Sequence, residues 1–103
     1  MLPATRRMHR VDTRSPEIPG ADLIAAGLED LARGVDSAAA FVVLVGAPRL
    51  RALGVPVPPS SVPDPEHRLY ALLASSDSDG AHSRYNALIR RLVSYERAVA
   101  CGG

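Results

Sequence analysis

The clearest pattern in the chain is an apolar stripe near its carboxyl end. From Ala81 to Ala100, large apolar side chains recur at spacings of three and four residues, which is the period of one face of an α-helix. The stripe consists of Tyr85, Leu88, Leu92, Tyr95 and Val99, and Ile89 widens it. This pattern predicts a long amphipathic helix that packs against the rest of the protein through one face.

Two further segments also predict amphipathic helices. The first covers residues 21–33, with acidic side chains turned outward and Gly34 at its end. The second begins with Asp64 as the N-cap residue and Pro65 in the first turn, and it ends near Ser75. The apolar residues of these two helices are Leu23, Ile24, Leu28 and Leu31 in the first and Leu69, Leu72 and Leu73 in the second.

The middle of the chain allows two interpretations. An apolar segment extends to Gly54, with Asp36 or Ser37 as its N-cap residue. Within it, residues 41–45 (FVVLV) form an unbroken aromatic and β-branched run, which fits a buried helix or a short buried strand. We favour a helix that is kinked or broken near Gly46 and Pro48, because proline disrupts a continuing helix. In the alternative, the run is a strand and a short helix starts at Pro48.

Proline marks the two segments that we expect to be non-helical. Residues 1–19 contain three prolines and four arginines without any period, and they predict a flexible N-terminal arm. Residues 55–65 contain five prolines and predict a stiff, extended connector; no basic residue lies among them, which argues against an SH3-type peptide ligand. We therefore expect an all-α protein, a small bundle of about four helices that forms a single domain over residues 20–101.

Length and composition fit one small domain. The chain has 103 residues, of which 47% are hydrophobic and 4% aromatic. Its single cysteine, Cys101, excludes an internal disulfide and a cysteine-based zinc site. The first residues lack the apolar core of a signal peptide, and the longest apolar run, residues 38–47, is shorter than a membrane span. We expect a cytoplasmic protein that has no contact with a membrane.

No residue pattern predicts catalysis, a cofactor or a metal ion. No pair among the three histidines has the helical spacing of metal ligands; they are His9, His67 and His82. Asp77 and Asp79 beside Gly80 resemble part of a calcium loop, but the two ends of that loop would lack acidic ligands. Phosphate-binding glycine motifs do not occur in the sequence. We therefore expect a protein that is not an enzyme.

Tyrosine and arginine side chains are the candidates for an interaction surface. These residue types are enriched among the side chains that carry most of the binding energy of protein interfaces. The candidate partner-binding residues are Tyr70, Arg84, Tyr85, Arg90, Arg91 and Tyr95. In the alternative interpretation, the three tyrosines pack in the core with their hydroxyl groups at its edge.

Charge alternates along the chain. Residues 84–103 contain four arginines and one glutamate, whereas residues 15–36 and 64–83 are acidic. Because such segments can pair with one another in the fold, a basic last helix does not by itself indicate a nucleic-acid partner.

Two other functions would use the last helix. In the first, the last helix is the recognition helix of a helix-turn-helix. The side chains that would then point toward DNA are Arg84, Asn86, Arg90 and Arg91. We do not expect nucleic-acid binding, because the preceding turn is longer than the usual three or four residues and its aspartates, Asp77 and Asp79, repel phosphates. Alternatively, the apolar stripe of the last helix would hold a homodimer together.

Three segments carry a family resemblance: residues 46–58 (GAPRLRALGVPVP), 65–73 (PEHRLYALL) and 82–98 (HSRYNALIRRLVSYERA). They resemble the small antitoxin partners of MenT-type nucleotidyltransferase toxins of actinobacteria. The resemblance implies a non-enzymatic inhibitor whose partner is the cognate toxin, a nucleotidyltransferase that modifies tRNA acceptor ends. It assigns no functional residue to this chain. Because the chain lacks a clear DNA-binding domain, the resemblance does not extend to control of an operon.

Overall fold

A computed structural model describes residues 18–102 of the chain, which form five α-helices. Helix α1 is Ala21–Ala32, α2 is Ala38–Val45, α3 is Ala47–Ala52, α4 is Pro65–Ser76 and α5 is Ala81–Ala100. No strand occurs among these described residues, so the predicted all-α fold is confirmed. Residues 1–17 of the predicted N-terminal arm lie outside the described part of the chain.

The short helix α2 lies at the centre of the molecule and contacts each of the other four helices. All residues from 40 to 44 are buried. A helix that is covered on all sides has no solvent face, which explains why this segment is apolar throughout and shows no period. Residues 41–45 are helical, and the alternative in which they form a strand is wrong.

Ser37 caps α2 and also connects it to α1. Its hydroxyl oxygen accepts a hydrogen bond from the amide of Ala40 at 3.1 Å, and the hydroxyl donates to the Asp30 carboxylate at 2.6 Å. Arg33 donates a second hydrogen bond to the same carboxylate, also at 2.6 Å. These two hydrogen bonds, that of Ser37 first, lower the pKa of the Asp30 carboxyl. Of the two predicted N-cap residues, Ser37 is therefore the one that caps the helix.

The predicted break near Gly46 separates α2 from α3. Pro48 lies in the first turn of α3. Amide groups in the first turn have no hydrogen-bond acceptor within the helix, so the lack of an amide hydrogen in proline breaks no helical hydrogen bond. Gly46 packs directly against α5. The space is so small that a Cβ atom at this position would lie only 2.8 Å from Cδ1 of Leu92. The break thus brings the junction of α2 and α3 into direct contact with α5.

Two glycines bring α1 close to its neighbours. A Cβ atom on Gly27 would overlap the carbonyl oxygen of Ala39 in α2. Gly20, which precedes α1 with a φ of 77°, approaches α5 so closely that a Cβ atom would lie 2.6 Å from the carbonyl oxygen of Arg91. Both contacts are made against backbone, so neither can be relieved by moving a flexible side chain.

The proline-rich connector is fastened to the helical body. Val55 and Val57 are buried, and the Arg51 side chain donates hydrogen bonds to the carbonyl oxygens of Val57 at 3.1 Å and Pro58 at 2.8 Å. At the start of α4, the Asp64 carboxylate accepts a hydrogen bond from the amide of His67 at 3.4 Å, which confirms the predicted cap. Within residues 18–102, no helix combines the length and apolar character needed to cross a membrane.

Candidate protein-binding surface

The six predicted interface residues lie on α4 and α5, which contact each other and are joined by residues 77–80. In this turn, the Asp77 carboxylate accepts a hydrogen bond from the amide of Gly80 at 3.1 Å and lies 3.8 Å from the guanidinium group of Arg84. The turn is only four residues long, so the prediction that it exceeds the length of a helix-turn-helix connection is wrong. The two aspartates in the turn remain as an argument against a phosphate backbone.

Tyr70 and Tyr85 form a contacting pair across α4 and α5. Their ring centroids lie 5.7 Å apart and their planes are tilted by 53°, which is a favourable arrangement for two aromatic rings. Tyr70 is 39% exposed and Tyr85 is half-buried. The pair therefore presents aromatic surface to the solvent while two helices hold its geometry.

Burial and two acidic neighbours shift the pKa of the Tyr85 hydroxyl. Burial raises the pKa of the Tyr85 hydroxyl, and the negative charges of Glu66 and Asp64 raise it further. Both carboxylates belong to the start of α4. Like any tyrosine hydroxyl at neutral pH, this group is protonated and can donate a hydrogen bond.

Two aliphatic residues extend the exposed surface along α5. Ile89 and Val93 follow Tyr85 by four and eight residues and so lie on the same side of the helix. Ile89 is half-buried, and Val93 is 37% exposed. We refer to Tyr70, Tyr85, Ile89 and Val93 as the tyrosine surface. Val93 lies outside the apolar stripe that predicts the helix, and only the packing of α5 reveals its exposure.

Arg90 and Arg91 line an open groove between α5 and the segment that leads into α1. The groove has a volume of about 440 Å³, and its other lining residues are Pro19, Gly20, Ala87 and Ser94. At its edge, Arg91 donates a hydrogen bond to the Asp22 carboxylate at 2.7 Å, which lowers the pKa of Asp22. The Arg90 side chain makes no hydrogen bond or ion pair with any other residue that the structure describes. We refer to this feature as the arginine groove.

Tyr95 has no exposed surface. Its hydroxyl is buried without a hydrogen-bond partner among the described residues, and burial raises its pKa. In this conformation Tyr95 belongs to the core together with Leu92. The α5 stripe thus packs within the chain, and the residues that a homodimer would need at the centre of its seam are already covered.

The predicted residues therefore separate into distinct places. Tyr70 and Tyr85 are together, Arg90 and Arg91 are together in the groove, Arg84 lies beside the turn, and Tyr95 is internal. Asp22, the acidic neighbour of Arg91, is 69 positions away in the sequence, and no local pattern links the two residues.

Potential metal ligands are distributed across the part of the chain that the structure describes. Within residues 18–102, no group of three or more histidine, cysteine, aspartate or glutamate side chains is placed to hold a metal ion. Nε2 of His82 lies 3.2 Å from the side-chain nitrogen of Asn86, one helical turn along α5, so this histidine interacts locally.

In comparisons with known proteins, no protein-family model, no curated protein and no solved structure matches this chain.

Proposed function

We propose that this chain is a non-enzymatic module that binds another protein through the tyrosine surface. The observation that supports this proposal is the contacting pair of Tyr70, which is exposed, and Tyr85, which is half-buried. Tyrosines supply a large contact area and lose little side-chain entropy on binding. Because α4 and α5 bury their other sides in the core, a partner would meet a preorganised surface.

We further propose that the partner is a nucleotidyltransferase toxin and that the chain is its antitoxin. The support is the resemblance to antitoxins over residues 46–58, 65–73 and 82–98, of which the second and third segments contain Tyr70 and Tyr85. In this proposal, the chain blocks the toxin by occupying or reshaping its active-site region. No group of this chain takes part in a reaction.

The two alternatives have less support. A homodimer through the α5 stripe would need Leu92 and Tyr95 at its seam, but both are buried within one copy of the chain. A DNA-binding role for α5 would bring Asp77 and Asp79, which precede the helix, toward a phosphate backbone.

The proposal predicts a nucleotidyltransferase toxin gene beside the gene for this chain, and co-expression of the two tests it. We expect the wild-type chain to restore growth and the variants Tyr70→Ala and Tyr85→Ala to restore it poorly, because loss of a central interface side chain weakens binding by about thirtyfold. Val35→Ala is the matched control, since it truncates another exposed apolar side chain, 43% exposed, in the loop between α1 and α2.

The two parts of the proposal fail in different ways. If the wild-type chain does not restore growth, the antitoxin role is contradicted. If both tyrosine variants restore growth as well as Val35→Ala while circular dichroism shows unchanged helix content, the tyrosine surface is not where the toxin binds.

A further inference from the structure

The arginine groove has features that the tyrosine surface does not use. Arg90 is exposed and has no partner among the described residues, and the Arg91 side chain is 44% exposed despite its ion pair with Asp22. Between the two arginines and the segment before α1, the lining residues Ala87 and Ser94 are small. The groove thus combines guanidinium groups with open space beside them.

One wall of the groove is rigid. Gly20 lies against the backbone of α5, where a Cβ atom would be 2.6 Å from the carbonyl oxygen of Arg91 and 3.2 Å from Cβ of Tyr95. Since Tyr95 is a core residue, this contact fixes the start of α1 against the centre of α5. A ligand would therefore enter a preformed groove and would not have to order it.

We propose that the arginine groove receives the carboxylate of an aspartate or glutamate side chain from an acidic segment of a partner protein. A guanidinium group donates two parallel hydrogen bonds to a carboxylate, which gives both strength and orientation. The small lining residues leave room for one such side chain beside Arg90. This inference names the chemistry of the partner and so rests on the proposed protein-binding function.

Charge favours this occupant over two others. Residues 1–17 of the chain itself contain four arginines and two acidic residues, so their net charge opposes binding beside Arg90 and Arg91. A nucleic acid would bring phosphates next to Asp22, whose side chain is 80% exposed at the edge of the groove. An acidic protein segment, in contrast, can place a neutral or basic side chain opposite Asp22.

A capped octapeptide in which glutamate alternates with alanine is the probe that tests the groove directly, because its alanines provide neutral positions opposite Asp22. In NMR titrations of the full chain at low salt, we expect the peptide to shift the backbone amides of Gly20, Ala87 and Ser94. Arg90→Gln is expected to weaken peptide binding by about threefold to tenfold. Arg97→Gln is the matched control, because it removes the same charge from an exposed arginine of α5 that does not line the groove, and it should weaken binding by less than about twofold.

Three results would overturn the inference. The first is an absence of shifts at the groove, and the second is an equal loss of affinity in the two arginine variants, which would indicate attraction to net charge alone. The third is tighter binding of a DNA oligonucleotide than of the peptide to the same amides. No toxin is present in this experiment, so a negative result would not contradict the proposed role of the tyrosine surface. Equally, a failure of growth rescue would not contradict peptide binding in the groove.

Discussion

At the residue scale, the three tyrosines of this chain have three different environments. Tyr70 is exposed, Tyr85 is half-buried beside it, and Tyr95 is completely buried. Tyr85 and Tyr95 both belong to the apolar stripe, so their spacing could not show which of them is buried. The difference arises because the start of α1 covers α5 at Tyr95, and that contact joins distant parts of the chain.

The buried hydroxyl of Tyr95 leads to a prediction about stability. A buried polar group without a hydrogen bond costs about 1–3 kcal/mol of desolvation. Tyr95→Phe is therefore expected to raise the free energy of unfolding by up to about 1 kcal/mol, whereas Tyr95→Ala should lower it by about 3–5 kcal/mol through loss of packing. Urea denaturation measures both changes. A less stable Tyr95→Phe variant would mean that the hydroxyl is hydrogen-bonded, contrary to this description.

Glu96 leads to a prediction about pH. Burial raises the pKa of its carboxyl, and Arg49 offsets part of that increase. Because the pKa in the folded state exceeds the unfolded value, the favourable contribution of this group is present below the unfolded pKa and is lost as the pH rises through the folded pKa. Thermal unfolding should therefore show Glu96→Gln to be more stable than the wild type at about pH 7, and the difference should shrink as the pH falls.

Asp22 provides a control, because its pKa is shifted in the opposite direction to that of Glu96. Its pKa is lowered by the hydrogen bond from Arg91, so its contribution is present above the unfolded pKa and is lost as the pH falls through the folded pKa. Asp22→Asn is expected to be less stable than the wild type at neutral pH. If both variants changed stability in the same direction at neutral pH, the environment assigned to one of the two carboxyls would be wrong.

At the scale of elements, periodicity predicted the surface helices well and the buried helix poorly. The predicted bounds of α5 agree with the structure, and those of α1 and α4 differ from it by one residue. Each of these helices has a solvent face that produces the period. The central helix α2 has none, because other helices surround it. For this segment the sequence favoured a helix with a break near Gly46 and an N-cap at Asp36 or Ser37, but it did not exclude a strand over residues 41–45.

Gly27 tests how α1 and α2 pack. In an isolated helix, replacing glycine with alanine stabilises by about 1 kcal/mol. Here we expect Gly27→Ala to destabilise the protein by about 1–3 kcal/mol, because the new Cβ atom would overlap the carbonyl oxygen of Ala39. Urea denaturation measures the change. Ala26→Gly, at the neighbouring exposed position of α1, measures the helix-propensity effect alone. A stabilising Gly27→Ala would contradict the close contact between α1 and α2.

At the scale of the whole molecule, α5 joins two different surfaces. One side carries Tyr85, Ile89 and Val93 next to Tyr70 of α4, and another side carries Arg90 and Arg91 next to the start of α1. Sequence reasoning identified the tyrosines and arginines as candidates. It could not separate them into two places, because that division depends on contacts such as the one between Asp22 and Arg91, which are 69 positions apart.

The measurement that tests the central proposal most directly is calorimetric titration of the purified chain into the nucleotidyltransferase toxin that the proposal expects to be encoded beside this gene. We predict a complex that is weakened by about thirtyfold or more in Tyr85→Ala and by less than about threefold in Val35→Ala, with both variants folded. Unchanged affinity of Tyr85→Ala and Tyr70→Ala, or no binding by the wild-type chain, would contradict the claim that this protein acts by binding the toxin through its tyrosine surface.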